Sequence, residues 1–144
     1  MTEPIAYLNG RFVPVSQASL HIFDLGIVGG ASVTEMVRTF RHVPFLLEKH
    51  LARLAHSLQT VGFKVELSGG EIQAICEEVI SQNARLIPSH HDVGMVVFVT
   101  AGQNLTYLGH AGKELARKAT ICVHTFPLPF ELWADKYSSG IRLV

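Results

Sequence analysis

The chain has 144 residues, of which 48% are hydrophobic and 17% charged, a composition that excludes a disordered chain and allows one domain with a real core. Twelve basic residues balance twelve acidic ones, so no general electrostatic pull draws the chain to nucleic acid or to an anionic membrane. No apolar run approaches the roughly 20 residues of a membrane span, and MTEPIAYLNG lacks the basic-then-apolar pattern of a signal peptide. Cys76 and Cys122 lie far apart in apolar segments and are expected as buried free thiols of a cytoplasmic protein rather than as a disulfide.

In chain order, IAYLNGRFVPV reads as a hairpin: Ile5 to Leu8, an Asn9-Gly10 turn, then Arg11 to Val15. SLHIF reads as a short extended piece ending at Asp24, and DLGIVGGASVTE is glycine-rich without a clear period. TEMVRTF alternates as a strand does, with a turn near RHVP and a partner strand at Pro44 to Leu47. Leu47, Leu51, Leu54, Leu58 and Val61 recur at helical steps, which predicts a helix from Leu47 to about Val61 with Gly62 as its C-cap. Ile72, Ile75, Cys76 and Val79 predict a second helix from Gly69 to about Asn83, with Ser68 at its N-cap. GMVVFVTAG is nearly continuous in apolar residues and reads as a central strand. KATICVHTF is a further strand broken by PLPF, and GIRLV is expected to begin a last one. The order predicts an α+β fold, a largely antiparallel sheet with two helices on one face. A chain that stops within an apolar strand is expected to be a fragment of a longer protein, with a natural edge strand as the alternative.

Within the first helix, His50, Arg53, Ser57 and Thr60 form a polar stripe along one flank of the apolar one, at about 100° per residue. Such a stripe faces solvent or lines a cleft, and the residues alone favour solvent. Arg53 is off the core-facing side, so it is expected to be dispensable for folding. Gly26, Gly29 and Gly30 match neither a dinucleotide fingerprint nor a P-loop. The eight histidines form no His-x-x-x-His pair, and no Cys-x-x-Cys is present, so no metal site is expected.

The order of YLNGRFVP, FDLGIVGGASVTEMVRTF, FLLEKHLARL, VVFVTAGQ and GIRLV resembles the N-terminal lobe of the class IV (fold-type IV) pyridoxal-phosphate enzymes. These are the branched-chain aminotransferases, D-amino-acid aminotransferases and aminodeoxychorismate lyases. The likeness covers nearly the whole chain, residues 1–144, and is strongest in HLARL, close to the family's His-x-x-Arg-Leu. It implies that Arg53 reaches the phosphate of pyridoxal 5'-phosphate (PLP), a role that suits the planar, charge-assisted donors of a guanidinium. It also implies amino-acid and 2-keto-acid substrates, a homodimer and a cytoplasmic setting.

The chain departs from the family pattern in places. Leu25 stands where D-amino-acid aminotransferases carry arginine, and Ala101 where they place a second arginine for the substrate carboxylate. Thr34 stands at the substrate-binding position that usually holds Tyr or Phe, and GASVTE is nearer the branched-chain pattern. Lys49, Lys64, Lys113, Lys118 and Lys136 match nothing in the role of the Schiff-base lysine, which the resemblance places beyond Val144. The residues 1–144 are therefore expected to be part of a PLP-dependent aminotransferase of branched-chain or related type, without catalytic residues of their own. An aminodeoxychorismate lyase and a non-catalytic dimerisation or binding module of the same fold are the alternatives.

Overall fold

The computed structural model describes residues 3–111 and 118–143. Lys113 and Val144 lie outside them. Six strands form one sheet: β1 (Ile5–Leu8), β2 (Arg11–Pro14), β3 (Ser32–Phe40), β4 (Val43–Pro44), β5 (Val93–Thr100) and β6 (Thr120–Pro127), in the order β2-β1-β6-β5-β3-β4. Every pairing is antiparallel. A four-residue helix, α1 (Leu25–Val28), precedes β3. Two longer helices, α2 (Leu47–Val61) and α3 (Gly69–Ala84), follow β4, and a short α4 (Lys136–Ser139) follows β6. The expected α+β architecture is thus the observed one.

The hydrophobic pattern builds this layout directly. Alternation along β3 sends Val33, Glu35, Val37 and Thr39 toward the helices and Thr34, Met36, Arg38 and Phe40 away from them. The core fills the space between that face and the apolar stripes of α2 and α3, with Val37, Leu54, Val79, Met95, Val97 and Val123 essentially inaccessible. Cys76 on α3 and Cys122 on β6 are both buried and unpaired. Burial pushes the Cys76 thiol up to about 12, with the Glu77 charge adding to it, and burial pushes the Cys122 thiol up to about 11.

The turns and caps follow residue chemistry. Asn9 and Gly10 both adopt positive φ, as a two-residue hairpin loop requires. The Asn9 side chain also accepts from Ile121 N at 2.9 Å, fixing the turn against β6. Ser68 and Glu71 form a capping box at the start of α3. Gly62 closes α2 in the left-handed region. The β3–β4 turn places Arg41 and His42 at positive φ, and it is held by Asp92. Asp92 Oδ1 accepts from Thr39 Oγ1 at 2.8 Å and from His42 N at 2.9 Å.

Asn83 fastens α3 to the sheet. Its carboxamide accepts from Ile5 N and donates to Ile5 O and Thr125 Oγ1, all at 2.8 Å. The register pairs only Tyr7 and Leu8 of β1 with β6, so Ile5 finds its partners on the helix instead.

Three expectations change. The partner strand of β3 is Val43–Pro44 rather than Pro44 to Leu47, because Leu46 turns into the left-handed region and opens α2 at once. Leu25–Val28 is helical, started by the Asp24 carboxylate accepting from Gly26 N at 2.8 Å. Residues 141–143 form no strand: Gly140 has φ +72°, and Ile141 and Leu143 are exposed with no neighbouring strand among the described residues to supply ladder bonds.

Candidate functional site

The polar flank of α2 meets the sheet at a single buried carboxylate. Glu35, in the middle of β3, is 3% exposed although it is ionisable. Arg53 grips it side-on: Nε donates to Oε2 at 2.7 Å and Nη2 to Oε1 at 2.5 Å. His50, one turn earlier on α2, lies with Nδ1 2.7 Å from Oε1, and Met36 N donates to the same oxygen at 3.1 Å. An ionised carboxylate only accepts, so His50 Nδ1 carries its proton in this arrangement. The three-residue step from His50 to Arg53 puts both donors on one side of the helix, facing one strand position.

The electrostatics agree with that geometry. The Arg53 hydrogen bonds hold the Glu35 carboxyl down at about 2 from an ordinary 4.5, overcoming the burial that raises it, with His50 and Met36 N assisting. Glu35 in turn raises Arg53 above its ordinary value. Arg53 itself is 68% exposed. Glu35 thus occupies Nε and one edge of Nη2, while the remaining N–H groups of the guanidinium look outward. The result is a cation fixed in direction by a buried anion, with unused planar donors facing open space. That donor set suits a phosphate or carboxylate oxygen.

Arg53, singled out by the polar stripe, is thus tied to the fold through Glu35. Thr34 leaves β3 on the opposite face, paired across the ladder with Phe98. The two do not share a face. They do share an edge, because β4 pairs only with Thr39 and Phe40, which leaves the outer side of residues 32–38 without a strand among the described residues. A ligand lying over that edge would reach Arg53 from one side and Thr34 from the other. Further along Thr34's face, Phe98 packs edge-on against His124 at 6.3 Å between ring centroids.

Sequence reasoning passed over Glu35 as a site residue. The signal was present: Glu35 shares its strand face with Val33 and Val37, an acid at a core-facing position, and such an acid needs a cation nearby. His50 and Arg53 supply it. Among the described residues no group of three or more His, Cys, Asp or Glu side chains could hold a metal ion.

The model of the amino-transferase class IV family matches residues 32–143. A putative branched-chain-amino-acid aminotransferase of Methanocaldococcus jannaschii is 30% identical over 139 residues, which is 96% of this chain and 44% of that protein. The D-alanine aminotransferase of Bacillus licheniformis is 30% identical over 66% of this chain and 32% of its own length. The aminodeoxychorismate lyase of Bacillus subtilis is 32% identical over 54% of this chain and 26% of its own. In structure, the Escherichia coli branched-chain amino acid aminotransferase superposes with a TM-score of 0.71 at 22% identity, covering 88% of this chain and 41% of that one. The chain spans less than half the length of each of these proteins.

Proposed function

Because the chain belongs to the class IV amino-transferase family, we propose that residues 1–144 are the N-terminal lobe of a PLP-dependent aminotransferase of branched-chain or related type, in which Arg53 binds the cofactor phosphate. The observation that carries this reading is the clamp of exposed Arg53 on buried Glu35. Glu35 fixes the guanidinium plane before any ligand arrives, so binding costs little side-chain entropy. His50 also braces the carboxylate, at the Oε1 that Arg53 Nη2 holds. The outward N–H edge then offers directional, charge-assisted bonds to a phosphate oxygen.

PLP, when bound, supplies the electron sink for amino transfer. The chain's own part is to bind and orient. Arg53 anchors the phosphate over the free edge of β3, and Thr34 stands at the substrate side of that edge. A threonine there leaves room that an aromatic side chain would fill, which supports a branched aliphatic substrate. The Schiff-base lysine, the second lobe, the homodimer and the cytoplasmic setting belong to the same proposal. Among the described residues no helix is long and apolar enough to cross a membrane.

A second reading keeps the fold and cofactor and changes the reaction. The likeness to an aminodeoxychorismate lyase supports elimination instead of transfer. The deciding experiment uses the complete protein with PLP. Amino transfer from leucine, isoleucine or valine to a 2-keto acid supports the first reading, and elimination from aminodeoxychorismate without it supports the second. Absence of both, with no spectral change on adding PLP, returns the protein to a non-catalytic module.

A further inference from the structure

Tyr7 is the buried tyrosine of the core, 6% exposed, with its ring edge-on to Phe12 at 5.4 Å. Its hydroxyl makes no side-chain hydrogen bond among the described residues and is not a buried orphan, so it is open to a ligand or water. It lines a cleft of about 470 Å³ between the β1–β2 turn, the 64–67 segment that links α2 to α3, and the start of β6. That size lies within the range of small-molecule sites.

The cleft has an apolar body and a polar mouth. Val65, Leu67 and Ile121 supply aliphatic wall. Lys64 and Lys118 both line it, and Glu66 is paired to Lys118 at 3.3 Å. The local balance is two cations to one anion. The cleft thus combines aliphatic surface, the Tyr7 phenol and a net positive rim. A neutral hydrocarbon would leave the hydroxyl and amines unused. A phosphate dianion would find aliphatic wall and no guanidinium among the lining residues.

We propose that this cleft binds a small aliphatic monocarboxylate, held by the Tyr7 hydroxyl and by the Lys64 and Lys118 amines. The alkyl chain lies along Val65, Leu67 and Ile121. One carboxylate oxygen accepts from Tyr7 Oη, and the other faces the amines at the rim. The cleft shares no residue with the Glu35–Arg53 clamp, and the inference stands independently of the PLP reading.

The test is an octanoate titration of the complete protein with PLP present, followed through methyl resonances, with octanol as the uncharged control. Octanoate is expected to shift the Val65, Leu67 and Ile121 methyls and to bind at least tenfold more tightly than octanol. Tyr7→Phe, which keeps the ring, is expected to weaken octanoate about tenfold, the effect of one hydrogen bond to a charged group. Lys64→Gln with Lys118→Gln is expected to remove the preference for octanoate over octanol, and it decides the matter if Tyr7→Phe fails to fold. Equal affinity for octanol, unchanged affinity in both variants, or shifts confined to the Val96 methyls on the opposite face would each overturn the proposal.

Discussion

Among the polar side chains that join a helix to the sheet, Asn83 and Glu35 can be compared directly. Asn83 is 4% exposed, and its oxygen and both amide hydrogens end on Ile5 and Thr125. Nothing in the Asn83 carboxamide is left to offer a ligand. Glu35 is equally buried, yet its main partner is an exposed arginine with donors to spare. The first cluster closes on itself and serves the fold. The second passes a buried charge outward to the surface and serves recognition as well. A saturated network and an unsaturated one can thus be told apart by counting where the hydrogen bonds end.

The largest effect should come from the closed cluster. Asn83→Leu keeps the volume and removes every bond to Ile5, leaving a buried N–H and C=O without partners. A loss of about 3 kcal/mol in urea unfolding is expected, with the PLP affinity of the folded protein unchanged. A large change in PLP affinity would erase the distinction between the clusters.

Next comes Arg53→Ala, which should weaken PLP binding about tenfold or more in a spectroscopic titration. Arg53→Lys should recover only part, because an ammonium keeps the charge but not the planar fork. Unlike an ordinary helix-surface substitution, Arg53→Ala should also lower the melting temperature, since it strips a buried carboxylate of two donors. Adding Glu35→Gln should restore the melting temperature and leave PLP binding weak. If the double variant regains PLP affinity, Arg53 is not a phosphate ligand.

The smallest effect is a pH dependence. Glu35 is held at about 2 in the fold against an ordinary 4.5. Its ionised form therefore contributes stability that is whole above about pH 5 and is lost as the pH falls through 4.5 toward 2. Glu35→Gln should flatten that part of the acid limb of a stability profile, whereas Asn83→Leu should shift the whole profile without changing its slope there.

The sequence carried much of this fold because its long elements bury one face each. The leucine stripe and Gly62 placed α2 at Leu47–Val61, the span observed. Ser68 located the start of α3, and Asn9-Gly10 located the hairpin. Short elements escaped for lack of a period. Leu25–Val28 is a single turn organised by Asp24, whose other oxygen accepts from Thr120 Oγ1, a partner 96 residues away. Leu46 starts α2 from a left-handed conformation that its residue type does not favour, so no cap signal precedes the helix. GIRLV has the composition of a strand, but a strand also requires a neighbour. At the site, the polar stripe identified Arg53 but not its direction. That direction is set by Glu35, 18 residues earlier, and required the strand alternation and the helix flank to be read together.

The two thiols belong to different elements, Cys76 on the core-facing side of α3 and Cys122 within β6. Both are held far above the pH at which a thiolate forms readily. The native protein is therefore insulated from alkylating and oxidising reagents at these positions, and modification must wait for local opening. Cys76 then keeps time for the detachment of a helix and Cys122 for the parting of strands, a pair of internal clocks supplied by the sequence without an introduced label.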